Sequence, residues 1–177
     1  MTLKQHKQLG FELLQEKAVK YFGGAYLKNS HAKTKRPLST KKPSHLVLRS
    51  SRAIGSRSFL KFSDRIEALI KRQGRLHGVK IYRFANGGNH LHLIILPISR
   101  DAFNRFIRSL SGLIIRIVFG IEKGRGQKLK FWDQRPFTRI IEWGRDYRRT
   151  AEYLALNTLE ALGFVAHQPR RTRFSTA

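Results

Sequence analysis

Cysteine is absent from the 177 residues. That excludes a disulfide framework, thiolate metal sites and any cysteine nucleophile. Acidic residues are scarce: 11 Asp+Glu stand against 36 Lys+Arg, a formal charge of +25 and a pI near 11.5. A fold tolerates such self-repulsion, yet an excess this large points to a polyanionic partner, and so to nucleic acid. Long apolar runs are missing as well. Residues 113–121 are interrupted by Arg116 and Gly120 and are too short to span a bilayer. No charged-then-apolar signal opens the chain, so an intracellular protein is expected, cytoplasmic or nucleoid-associated, with no membrane partner. A phosphate-cradling Gly-x-x-x-x-Gly-Lys loop is also lacking, which removes the usual signal for ATP-driven chemistry. Aromatic residues, at 11%, are too frequent for a purely basic disordered tail.

What is present reads as one domain with appendages. Residues 3–22 carry Leu9, Leu13, Leu14, Ala18 and Phe22 at helical steps, and Gly23-Gly24 would stop that helix. Residues 28–43 hold six Lys/Arg, two prolines and no acid, the composition of a mobile basic loop. A folded core is expected over 44–165, with 1–43 an N-terminal helix and loop and 166–177 a basic tail. Within it the spacing predicts a strand over 44–49, a helix near 58–75 and a strand over 79–84. Asn86-Gly87-Gly88 turns that strand into the next, so the two form a hairpin. Ser99 is a good N-cap for a helix with Phe103, Phe106, Leu110, Ile114 and Val118 inward. Residues 120–130 read as a loop, 137–141 as a short strand, and about 145–162 as a last helix with Tyr147, Ala151, Leu154, Ala155 and Leu159 as its buried stripe. This alternation predicts an α/β (α+β) sandwich, a mainly antiparallel sheet with helices packed on it.

The chemistry concentrates in Asn89-His90-Leu91-His92-Leu93-Ile94. In a strand His90 and His92 project to the same face, about 7 Å apart. Two neutral imidazoles side by side are ready ligands for one divalent metal, although a strand entrance also carries surface histidines. His45, on the first core strand, either joins the site or serves packing or hydrogen bonding, the commoner uses of a lone strand histidine. Tyr153 and Asn157 lie four apart on the last helix and share a face. If that face meets the histidine strand, His90, His92 and Asn157 make a nitrogen and oxygen ligand set. Such a set suits Mg²⁺ or Mn²⁺, with water and a phosphate oxygen completing the shell. Tyr153 would then stand one turn from the metal, placed to attack a phosphodiester. Tyr-x-x-x-Asn alone is a weak signal.

In order along the chain, these residues resemble the HUH endonucleases, in particular the single-tyrosine transposases. The histidine block resembles their Asn-His-Val-His-Leu strand. Phe131-Trp132-x-x-Arg135-x-Phe137 and then Tyr153-Leu-x-x-Asn157 follow in the family's order, and His45-Leu-Val-Leu-Arg49 is similar to its opening strand. The likeness spans roughly 44–165 and is greatest to the REP-associated tyrosine transposases and related insertion-sequence enzymes. It implies His90 and His92 as metal ligands, Tyr153 as nucleophile and Asn157 at the third-ligand position. The implied reaction cleaves single-stranded DNA beside a hairpin, giving a 5′-phosphotyrosine and a free 3′-OH that can rejoin strands. Relatives include dimers, so the resemblance allows a homodimer. Thr158 stands where the family has proline, which lets the helix continue.

Phosphate contacts are expected from Lys33, Lys35, Arg36, Lys41 and Lys42 in the basic loop. Arg105, Arg108, Arg125, Lys128 and Lys130 add to these, as do Arg170 and Arg171. Phe131, Trp132 and Tyr82 either stack on bases or fill the core, the latter being the commoner use. Two other functions fit the charge: a domesticated DNA- or RNA-hairpin binder without chemistry, and a ribosome-associated RNA binder.

Overall fold

The computed structural model describes residues 21–24, 35–121 and 130–166. The expected helix up to residue 20, the loop over 25–34 and 122–129, and the tail from 167 lie outside the described residues.

The strands are β1 (Tyr21–Phe22), β2 (Ser44–Arg49), β3 (Val79–Asn86), β4 (His90–Pro97) and β5 (Phe137–Ile140). The helices are α1 (Ser63–His77), α2 (Arg100–Phe119) and α3 (Arg145–Ala161), with two 3₁₀ turns, Gly55–Arg57 and Phe59–Phe62, leading into α1. The strands form one sheet in the order β1-β5-β2-β4-β3, and every neighbouring pair is antiparallel. The α/β class and the β3–β4 hairpin are as expected.

Alternation along β4 builds two different faces from one strand. Leu91, Leu93 and Ile95 are fully buried and join Phe103, Phe106, Leu110 and Ile114 of α2 and Ile66 and Ile70 of α1 in the main core. Burying each such side chain is worth about 1.5–3 kcal/mol, so this layer dominates the stability. The apolar stretch of α2 is consumed here. On the other face Ile94 and Ala85 pack beneath Leu154, Tyr147, Ala151 and Tyr153 of α3. The sheet is thus covered by two helices on one side and by one on the other.

Helix ends follow local chemistry. Ser99 Oγ accepts from Ala102 N at 3.0 Å and caps α2, while Gly78 closes α1 at φ +67°, a left-handed position that suits glycine.

Two expectations are corrected. Tyr21–Phe22, read as the end of a helix, are an edge strand paired with Arg139 and Thr138 of β5. The chain turns at Gly23 (φ +78°) and Gly24 (φ +59°), and Gly24 N donates to Arg135 O at 3.0 Å. Pairing with β5 satisfies backbone groups that a helix end would leave to solvent. The buried stripe of α3 is also rotated from the apolar guess: Thr150, Leu154 and Asn157 are buried, while Ala155 and Leu159 are exposed. Polar contacts to the sheet, described next, set that rotation instead of hydrophobicity.

Candidate active site

His90 and His92 share the α3-facing side of β4, where His92 is 4% exposed and His90 half-buried. Their rings stand edge-to-face with centroids 4.7 Å apart. The turn before them is shaped to His90. A Cβ added at Gly87 would strike its ring, so only glycine leaves room for the imidazole. Asn89 Oδ1, an acceptor, lies 2.7 Å from His90 Nδ1, which suits a proton on Nδ1 and a lone pair on Nε2, at the ring edge packed over Gly87.

His45 takes the hydrogen-bonding role commoner for a lone strand histidine, but its partner is a histidine of the site. It pairs across β2 and β4 with Ile94, which puts it diagonal to His92 on the same face. The two rings stack at 5.1 Å with 17° between planes, and His45 Nε2 lies 2.9 Å from His92 Nδ1. Burial, with the Arg139 guanidinium second and Asp146 opposing, lowers the His45 pKa to about 3. A neutral His45 can therefore accept from His92 Nδ1–H, which leaves the His92 lone pair on its buried Nε2. Strand register supplies this partnership, and a single sequence does not state register.

The third element is α3. Arg139 Nη1 on β5 bonds both Asp146 carboxylate oxygens at 2.9 Å, and its Nη2 donates to Thr150 Oγ1 at 2.8 Å. This fork pins the first turns of α3 to the sheet. Two turns on, the Tyr153 ring sits edge-on to His92 at 5.5 Å and to His45 at 6.0 Å. Asn157, 7% exposed, donates from Nδ2 to the Tyr153 carbonyl at 2.7 Å, so Oδ1 is its atom suited to a cation. The helix runs past Thr158 to Ala161, as the missing proline allows.

Among the described residues no group of three His, Cys, Asp or Glu side chains could hold a metal. Two imidazoles and an amide oxygen, with a phosphate oxygen and water, have the donor chemistry that suits a loosely held Mg²⁺ or Mn²⁺.

The structure gathers few of the expected phosphate contacts near this site. Lys33, Arg125 and Lys128 lie outside the described residues. Arg36 is built into the fold: its Nη1 donates to Pro136 O at 2.8 Å and Thr138 Oγ1 at 2.7 Å, and its guanidinium covers the Phe22 ring. Burial, then the nearby Arg135 and Arg100, lowers its pKa to about 10. Lys35 is exposed. Lys42 pairs with Glu142 at 2.8 Å, and Lys41 accepts at its carbonyl from Trp143 Nε1, both beyond the Ser44 end of β2 and away from His90. Arg105 and Arg108 are exposed on α2, across the sheet from the histidines, and Arg105 pairs with Asp101 at 2.7 Å. Lys130 is exposed beside Phe131, near the His90 end. Closer still is Arg49, whose β2 position faces His90. Phe131 is buried in the main core with Trp132 against it, and Tyr82 packs against Trp143 and Tyr147.

No family model and no curated protein matches the sequence. Among solved structures, a REP-associated tyrosine transposase bound to a REP hairpin superposes with a TM-score of 0.56 at 19% identity, covering 76% of each chain. A protein from Deinococcus radiodurans R1, described as a transposase, gives a TM-score of 0.44 at 14% identity, covering 72% of this chain and 98% of its own. The fold is that of a REP-associated tyrosine transposase.

Proposed function

We propose that the chain is a single-tyrosine transposase that cleaves and rejoins single-stranded DNA beside a hairpin. One observation carries this: three separate elements converge so that Tyr153 faces His92 and His45, with His90 alongside. Packing alone gives no reason to bury two hydrogen-bonded histidines beneath a tyrosine in a chain this basic. The shared fold of a transposase bound to hairpin DNA supports the partner.

In this mechanism His90, His92 and Asn157 would hold Mg²⁺ or Mn²⁺, which would supply polarisation of the scissile phosphate and offset its developing charge. Tyr153 Oη forms a bond to phosphorus as the P–O3′ bond breaks. The phosphate stays on the tyrosine as a 5′-phosphodiester, and the proton lost by the phenol is balanced by the one gained at the 3′-oxygen. The released 3′-OH of another strand reverses the step, so the bond energy is stored and no nucleotide cofactor is consumed. His45 and Asn89 act by positioning the imidazoles.

The test mixes the full chain with labelled single-stranded hairpin DNA pools, with Mn²⁺ or EDTA, on a denaturing gel. A metal-dependent adduct mapping to Tyr153, lost in Tyr153→Phe while hairpin binding stays within about twofold, is expected from removal of one hydroxyl. Tight binding without any adduct would leave a hairpin-binding protein instead.

A further inference from the structure

Beside the histidines, on the same face of the sheet but outside the cover of α3, lies a pocket of about 470 Å³. Its walls are Val47, Arg49, Asp133, Gln134, Arg135 and Phe137. Val47 is paired across the strands with His92 and Arg49 with His90, so the pocket begins one strand away from the metal ligands. Gly24 closes the far side: a Cβ there would stand 3.1 Å from Phe137 Cβ, and its φ of +59° already demands glycine.

The lining is chemically specific. Val47 and Phe137 offer apolar surface for a flat ring, and Arg135 is exposed at the rim. Asp133 is held rigidly, its Oδ1 accepting from Ser51 N at 2.7 Å and Ser51 Oγ at 2.8 Å. Its Oδ2 faces Arg49 Nε at 3.6 Å, a loose pair on a side chain that is 68% exposed. An anchored acceptor and a movable guanidinium thus stand side by side.

We propose that this pocket receives one unpaired guanine flanking the scissile phosphate, an assignment that rests on the transposase function above. Guanine alone presents N7, O6 and N1–H in a row: two acceptors for the Arg49 fork, then a donor for Asp133. Adenine, cytosine and thymine each break that order. The loose Arg49–Asp133 pair opens at little cost because exposed ion pairs are weak. Phe137 stacks on the ring, and Arg135 meets the nucleotide's phosphate.

The experiment titrates the full chain with dGMP, dAMP, dCMP and dTMP and follows backbone amide shifts by NMR. The expected result is movement at Val47, Arg49, Gln134 and Phe137, with dGMP bound at least about tenfold more tightly than the others. Equal affinity for all four, or shifts confined to other surfaces, would overturn the proposal. Asp133→Asn keeps an oxygen for Ser51 but turns an amide toward the guanine N1–H. It should lose the preference while dAMP binding is unchanged. Arg49→Gln, on an exposed side chain, provides the same readout should Asp133→Asn fail to fold. Retained guanine preference in a folded variant contradicts the assignment. Free nucleotides need no nucleophile, so Tyr153→Phe should sort them as the wild type does. Nucleotide sorting without any DNA adduct would sink the cleavage chemistry and keep the pocket. Adducts indifferent to the flanking base would do the opposite.

Discussion

At the scale of single residues, the burial of His45 beside Arg139 has a consequence in acid. An unfolded histidine takes its proton near pH 6.5, whereas His45 in the fold holds out to about 3. Between those values the unfolded chain binds more protons, so stability rises with pH there. The contribution is complete above pH 6.5 and is lost as the pH falls toward 3. Urea unfolding at pH 7, 5 and 4 should therefore show a decline that His45→Gln flattens; an equal decline in both proteins would mean that other groups carry it. At this scale the sequence was partly legible. That His90 shares a face with His92, and Tyr153 with Asn157, was readable from spacing because alternation and helical periodicity fix which residues share a face. The roles of His45 and Arg49 were not, because they depend on which strand pairs with which and in what register.

At the scale of elements, the turn between β3 and β4 bears on the site more than its length suggests. Asn86, 4% exposed, donates from Nδ2 to Phe59 O at 2.9 Å and accepts at Oδ1 from Gly88 N at 3.0 Å. One amide thereby ties the hairpin to the 3₁₀ turn ahead of α1 and sets the backbone that carries His90. Asn86→Ala leaves a buried carbonyl and an N–H without these partners and should cost about 1–3 kcal/mol in urea unfolding. A loss below a few tenths would show that the turn holds itself. The β2, β3, β4 and α2 segments were legible because strong periodicity and caps coincide there. Tyr21–Phe22 were misread because two residues carry no period, and only the distant β5 makes them a strand. The stripe of α3 was misread because Arg139, Asp146 and Thr150 orient it through polar contacts that an apolar pattern does not record.

At the scale of the whole molecule, a charge of +25 conceals an uneven use of its cations. Some, like Arg36, are spent inside the fold; Arg105 and Arg108 lie across the sheet from the histidines; Arg49 and Arg135 border the site. Reversing Arg49 and Arg135 to Glu should weaken hairpin binding more than tenfold and lower the salt slope by about 0.7, the share of the one single-strand phosphate contact assigned to Arg135. Reversing Arg105 and Arg108 should cost less than about threefold, since exposed charges beyond a Debye length of about 8 Å are screened. Equal losses, measured by anisotropy at two salt concentrations, would mean the DNA wraps both layers. Composition announced the polyanion but could not say which cations meet it, because net charge carries no geometry.

The strand β4 has a further consequence for heredity. One set of its letters, His90, His92 and Ile94, lies on the face under α3, and the other, Leu91, Leu93 and Ile95, fills the main core, alternating without a gap. Substitutions on one side can drift while the other stands still. A single inserted or deleted codon, by contrast, would trade every letter between the two roles at once. Descendants of this chain are thus free to respell the strand on either side, but not to change its length.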